Sequence, residues 1–186
     1  LEVAYDEVER LARLTKQLLI VYRESVTSPE PRTPVDLNGV VRDVVASSAE
    51  LLRQNRVIVD LNLGEKTPRI GGSEDKLKQL FLNLIVNARD AMPEGGRLSI
   101  STVAGDGHIV VTVTDTGIGI PPENINRIFD AFFTTKGKVS GTGLGLSVSY
   151  GIVQQHRGTI SVKSRPGQGA TFTVAFPEDK GLLTIK

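Results

Sequence analysis

There is no cysteine in these 186 residues, no tryptophan and a single methionine. The first absence removes disulfide frameworks and thiolate metal sites. The only histidines, His108 and His156, stand in separate stretches, which argues against a histidine-based metal centre. Charge of one sign is lacking too: 22 basic against 21 acidic residues leave a formal net charge of +1, and aromatic residues make up 5%. A nucleic-acid surface shows a basic excess interleaved with stacking aromatics, so no nucleic-acid partner is expected. No apolar run approaches the roughly 20 residues that span a bilayer, and the opening residues do not read as a signal peptide. What is present is ordinary globular material, 39% hydrophobic and 23% charged, enough for one domain and an appended element.

That element comes first. Leu1, Ala4, Val8, Leu11, Thr15, Leu18 and Tyr22 recur at alternating three- and four-residue steps, a helix with a bundle seam. Residues 1–24 are expected to pack on helices of another chain or of missing sequence; a helix lying on its own domain is the other reading. Residues 25–34, with three prolines, read as a linker. From 35 to 178 helices and strands mix. Asp36 is a good N-cap for a helix to about Arg53, and residues 56–63 alternate as a strand. Gly71-Gly72-Ser73 opens a second helix that ends near Met92-Pro93. Residues 98–103 and 109–114 pair around a Gly-Asp-Gly turn, and a short helical piece is expected near 123–132. A helix from Leu144 to Gln155 and strands over 159–164 and 170–176 follow, with a tail over 179–186. The fold class is α+β: a two-layer arrangement with a mixed sheet and helices over one face.

Five blocks in this domain can carry chemistry. Asn83, Asn87 and Asp90 fall at i, i+4 and i+7, hence on one helical face. Asparagine is a mediocre helix former, so two of them amid Leu-Ile-Val-Ala point to a wet functional edge; amide oxygens there can ligate Mg²⁺. Satisfying a neighbouring loop is an equally open use of them. Asp115-Thr116-Gly117-Ile118-Gly119 follows a strand, placing a carboxylate beside open backbone, where an exocyclic amine of adenine would supply a donor. A plain tight turn is the alternative. The long stretch to 141 holds Phe129, Phe132, Phe133 and Lys136, an apolar anchor and a point charge for a phosphate, as in a lid. Gly141-Thr142-Gly143-Leu144-Gly145 then opens a helix whose unpaired N–H groups and dipole suit a phosphate. Last, Gly167-Gln168-Gly169-Ala170-Thr171 leads into the final strand, from which Thr171 is expected opposite Asp115.

Together, Asn83 to Asp90, Asp115 to Gly119, Phe129 to Lys136, Gly141 to Leu146 and Gly167 to Phe172 resemble the N box, the glycine boxes and the phenylalanine box of bacterial sensor histidine kinases. The wording looks closest to the nitrogen-regulation-like branch. The resemblance implies the Bergerat ATP-binding fold, holding ATP under a mobile lid. Carried over, Asn87 is the Mg²⁺ ligand, Asn83 lines the phosphate side, Asp115 reads adenine, and Gly117 and Gly119 flank the base. Gly141, Gly143 and Gly145, with Thr142 and Leu144 between them, sit at the phosphates; Thr171 joins Asp115, and Lys136 contacts phosphate. Where many relatives carry a basic residue three past the Mg²⁺ asparagine this chain has Asp90, which receives no phosphate role.

The family's phosphoacceptor histidine motif has no match. His108 and His156 read as solvated or satisfied side chains, and the chain looks like a catalytic domain plus the second helix of a dimerisation hairpin. The implied activity is transfer of the γ-phosphoryl of ATP to a histidine on an absent helix, for relay to a response-regulator aspartate. The implied parent is a homodimer with its catalytic part in the cytoplasm, whether or not a missing N-terminal region anchors it to a membrane. The alternatives are an ATP-gated dimerisation or ATPase module of the same superfamily, or a degenerate binding module.

Overall fold

The computed structural model of the chain describes residues 33–65, 67, 69–135 and 142–179. The expected helix over 1–24, most of the linker, Lys136, Gly141 and the tail from 180 onward lie outside the described residues.

Helix α1 (Leu37–Gln54) starts where Asp36 accepts the Asn38 N–H at 3.0 Å, satisfying one of the orphan donors of a helix N-terminus. Its Leu37, Val40, Val41, Val44 and Leu52 are buried. Helix α2 (Glu74–Ala91) has two acids in its first turn, favourable at the positive end of the dipole, and buries Leu77, Leu80, Phe81, Leu84, Ile85 and Ala88. It stops just before Pro93, as the residue preceding a proline disfavours helical backbone. Helix α3 (Gly145–Gln155) buries Ser149, Ile152 and Val153.

Strands β2 (Val57–Leu63), β4 (Gly96–Gly105), β5 (His108–Asp115), β6 (Thr159–Ser164) and β7 (Ala170–Pro177) form one sheet in the order β2-β4-β5-β7-β6. β2 runs parallel to β4; every other pair is antiparallel. At the β4–β5 turn Asp106 and Gly107 have φ of 53° and 74°, the left-handed pair that matches strand twist. Burial alternates along β5 and β7, so Val111, Val113, Phe172, Val174 and Phe176 share the core with the apolar faces of the helices. The mixed α+β sheet with helices packed on it is as expected.

Two local expectations need correction. Thr33 and Pro34, read as the end of the linker, belong to β1 (Thr33–Val35), which pairs antiparallel with β3 (Ile70–Gly72). Three-residue strands containing proline or paired glycines carry no alternation; what makes them is burial of Val35 and Ile70, which face each other in register. The helix expected over 123–132 is a single 3-10 turn, Pro122–Asn124, followed by turns. Its bonds step by three, Arg127 N–H to Asn124 O, Asp130 N–H to Arg127 O and Phe133 N–H to Asp130 O, and Phe132 has φ of 67°.

α2 and α3 lie antiparallel. Near the N-terminus of α2 the Ser73 N–H donates to His156 Nε2 at 3.0 Å, while His156 Nδ1–H donates to Ile152 O at 2.7 Å. At the other end Asn83 meets the first residue of α3. A cleft therefore opens where α2, the start of α3 and the end of β5 converge.

Candidate nucleotide-binding site

The cleft is a cavity of about 700 Å³. Its floor is Asp115, the last residue of β5, 4% exposed. Oδ1 accepts the Gly117 N–H at 2.8 Å and the Ala170 N–H at 3.2 Å. Burial pushes the carboxyl above its ordinary value, and the two backbone bonds pull partly against that. Apolar walls stand around it, Ile120, Leu146 and Phe172 among them, so a flat aromatic ring with a donor edge suits this end.

The neighbouring glycines serve chain packing first. Gly119 has φ of 71°, and a Cβ there would lie 2.0 Å from Arg165 O; one at Gly117 would lie 2.3 Å from Ala91 O. Gly119 also lines the cavity, whereas Gly117 does not, and its backbone acts instead through the N–H given to Asp115.

The side wall is the α2 face that carries Asn83, Asn87 and Asp90, all three lining the cavity. Asn83 Nδ2 donates to Gly145 O at 3.1 Å, with a longer contact of 3.4 Å to Ser149 Oγ. The Asn87 side chain has no hydrogen-bond partner among the described residues, although the residue is half-buried. Facing it are Thr142, Gly143, Leu144 and Gly145. Among the described residues no side chain caps the N-terminus of α3, whose first N–H groups and dipole suit an anionic ligand. A Cβ on Gly145 would reach 3.9 Å from Asn87 Nδ2 and 4.0 Å from Asn83 Cγ, with nothing nearer. That space is what a phosphate chain needs.

Thr171 is not brought to this place. Its hydroxyl lies 3.1 Å from that of Thr114, on the sheet face opposite Asp115, and the cavity is lined by its neighbours Ala170 and Phe172. In a strand successive side chains point to opposite faces, and buried Phe172 puts residue 170 on the inner one. Ala170, whose N–H holds Asp115, is the residue that the sequence reading missed; the same alternation was the signal for it.

The sequence profile of the histidine kinase-, DNA gyrase B- and HSP90-like ATPases matches residues 72–180, which include every described side of the cavity. The chain belongs to that ATPase family. Within the family it is similar to sporulation kinase A of Bacillus subtilis (strain 168), 33% identical over 95% of this chain and 28% of the relative. Sensor histidine kinase ZraS of Salmonella typhimurium is 36% identical over 95% of this chain and 37% of its own length. The chain thus spans well under half of these curated relatives. Among solved structures, full-length ShkA in complex with AMPPNP superposes with a TM-score of 0.79 at 29% identity, covering 92% of this chain and 36% of that one. The nucleotide-free catalytic domain of histidine kinase ThkA gives 0.72 at 31%, covering 80% of this chain and 97% of that domain. The described domain is a histidine kinase-type ATP-binding catalytic domain. The Asp115 floor, the Asn83–Asn87 wall and the open start of α3 all border the same cavity of this domain. Neither histidine belongs to it: His108 is exposed at the β4–β5 turn, and His156 is buried with both ring nitrogens engaged.

Proposed function

We propose that this chain is the catalytic part of a sensor histidine kinase, delivering the γ-phosphoryl of Mg²⁺-ATP to a histidine on a dimerisation helix. A response-regulator receiver would take the group onward, and the parent would act as a homodimer with this domain in the cytoplasm, where ATP is. The observation that supports it most is the joint placement of Asp115 and Asn87 along one cavity that ends at the uncapped start of α3.

Asp115 accepts from the adenine amine, for which its Oδ2 remains beside the two backbone bonds on Oδ1. The N–H groups at the head of α3 hold phosphate oxygens. The residues present fit Mg²⁺. Asn87 offers an amide oxygen with no protein partner among the described residues, and no group of three or more His, Cys, Asp or Glu that could cage a metal occurs there. That donor set suits an ion that keeps its waters and takes its other oxygens from phosphates. When bound, the ion would neutralise phosphate charge. Phosphoryl transfer needs positioning and charge stabilisation more than covalent help, and this domain's residues supply orientation. Asn83 is a neutral amide that donates to Gly145 O, so it offers no base for water, which disfavours a hydrolytic ATPase module.

The test is calorimetric titration with a non-hydrolysable ATP analogue, with and without Mg²⁺. Saturable binding that tightens with Mg²⁺, and loses that gain in Asn87→Ala, is expected. Binding to the parent chain that is indifferent to Mg²⁺ would overturn the metal assignment, and steady ATP turnover by the chain alone would favour the ATPase module.

A further inference from the structure

Asn83, Asn87 and Asp90 occupy one face of α2, and two landmarks orient that face. At the level of Asn83 the side-chain amide meets Gly145 O at 3.1 Å, which marks the phosphate end of the cavity. At the C-terminus of α2, Ala91 O accepts the Ile118 N–H at 2.9 Å, in the loop that leaves Asp115, which marks the base end. Seven residues separate Asn83 from Asp90, about 10 Å along a helix that rises 1.5 Å per residue. Asp90 therefore stands one residue from the base end and one turn from Asn87. What lies between base and phosphates in a nucleotide is the sugar.

The chemistry of the side chain agrees with that place. A carboxylate repels phosphates and accepts from hydroxyls. The Asp90 side chain is 19% exposed, lines the cavity, and is fixed by its neighbour Arg89, whose Nε donates to Oδ1 at 2.7 Å and whose guanidinium also pairs with it through a second nitrogen. Both Arg89 contacts fall on Oδ1, one oxygen of a carboxylate that offers about four lone-pair positions.

We propose that Asp90 accepts hydrogen bonds from the ribose hydroxyls and makes the site selective for ribonucleotides over deoxyribonucleotides. The assignment rests on the nucleotide reading given above and adds to it the sugar specificity. A hydrogen bond to a charged acceptor that is lost on removing one hydroxyl changes affinity by about tenfold to a hundredfold.

The test titrates the parent chain, Asp90→Ala and Asp90→Asn with ADP, 2′-deoxyADP and 3′-deoxyADP in the presence of a chelator, then with Mg²⁺. The parent is expected to bind ADP about tenfold or more tighter than at least one deoxy form. That preference should shrink to within about twofold in Asp90→Ala and be intermediate in Asp90→Asn, which keeps one acceptor oxygen and decides the matter if the alanine variant melts early. Equal affinity of the parent for all three nucleotides overturns the proposal while leaving the nucleotide site intact. So does a preference that survives in Asp90→Ala, or one that exists only with Mg²⁺, since Asp90 would then act on the metal. Failure of the parent chain to bind any of the three overturns the nucleotide reading and this assignment with it.

Discussion

A carboxylate that burial pushes above its ordinary value of 3.8 is a burden on the unliganded fold, and Asp115 is one. Its raised value means that its contribution to stability is fully present below 3.8 and is lost as pH rises through the folded-state value. Ligand binding runs the other way, because only the ionised form accepts from an amine without giving up a backbone bond. Asp115→Asn is therefore expected to melt at the same temperature as the parent or higher near neutral pH, since it removes a desolvated charge. The same change should weaken ATP-analogue binding by about tenfold or more, since the one amide oxygen is claimed by the Gly117 and Ala170 N–H groups and an NH₂ then faces the adenine amine. Parent affinity should fall as pH drops through the raised value, and the variant should show no such fall. Thermal melts and titrations across that range check both; a variant that loses stability and affinity together would mean that Asp115 is structural.

Among elements, α1, α2 and α3 were legible because apolar periodicity and terminal residues agree locally: Asp36 caps α1, acids open α2, Pro93 closes it. β1 and β3 were not, since nothing within three residues says that Val35 and Ile70 will be buried face to face. Thr171 shows a different failure. A one-residue error in a strand moves a side chain to the other face of the sheet, and the polar residue drew attention from Ala170 beside it. The start of α3 is legible from its glycines and the apolar run that follows, and the structure gives Gly145 a sharper meaning. Its missing Cβ leaves space beside Asn83 and Asn87 that no described residue fills. Gly145→Ala should leave the unliganded protein as stable as the parent, or more stable by up to about 1 kcal/mol, because alanine is the better helix former. It should nevertheless weaken nucleotide binding, since the methyl group enters the space for phosphate. Denaturant melts beside titrations separate the two effects, and unchanged affinity would move the phosphates away from α3.

At the scale of the whole molecule, the blocks that the sequence presents in order become a site only through long-range pairing: Asp115 touches Ala170, Asn83 touches Gly145, and Ser73 touches His156. Their spacing along the chain could place them in a family, but only the antiparallel packing of α2 against α3 says which end of the cavity is which. The same layout keeps both histidines out of the cavity lining. His108 and Asp115 are the two ends of β5, seven steps and about 23 Å apart at roughly 3.3–3.4 Å per residue. His156 follows the last residue of α3, while the proposed phosphate position is at the first, about 16 Å away at 1.5 Å per residue. His156 also cannot present a free nitrogen without breaking its bonds to Ser73 and Ile152, and it is buried. Direct phosphoryl transfer needs the attacking atom close to and in line with the γ-phosphorus, and neither histidine lines the cavity in which the nucleotide is proposed to bind. Incubated with γ-labelled ATP and Mg²⁺, the chain is thus expected to bind nucleotide and yet acquire no acid-labile label, with or without His108→Gln. Stable labelling abolished by His108→Gln would place an acceptor on the β4–β5 turn and require a second copy to bring it to the cavity.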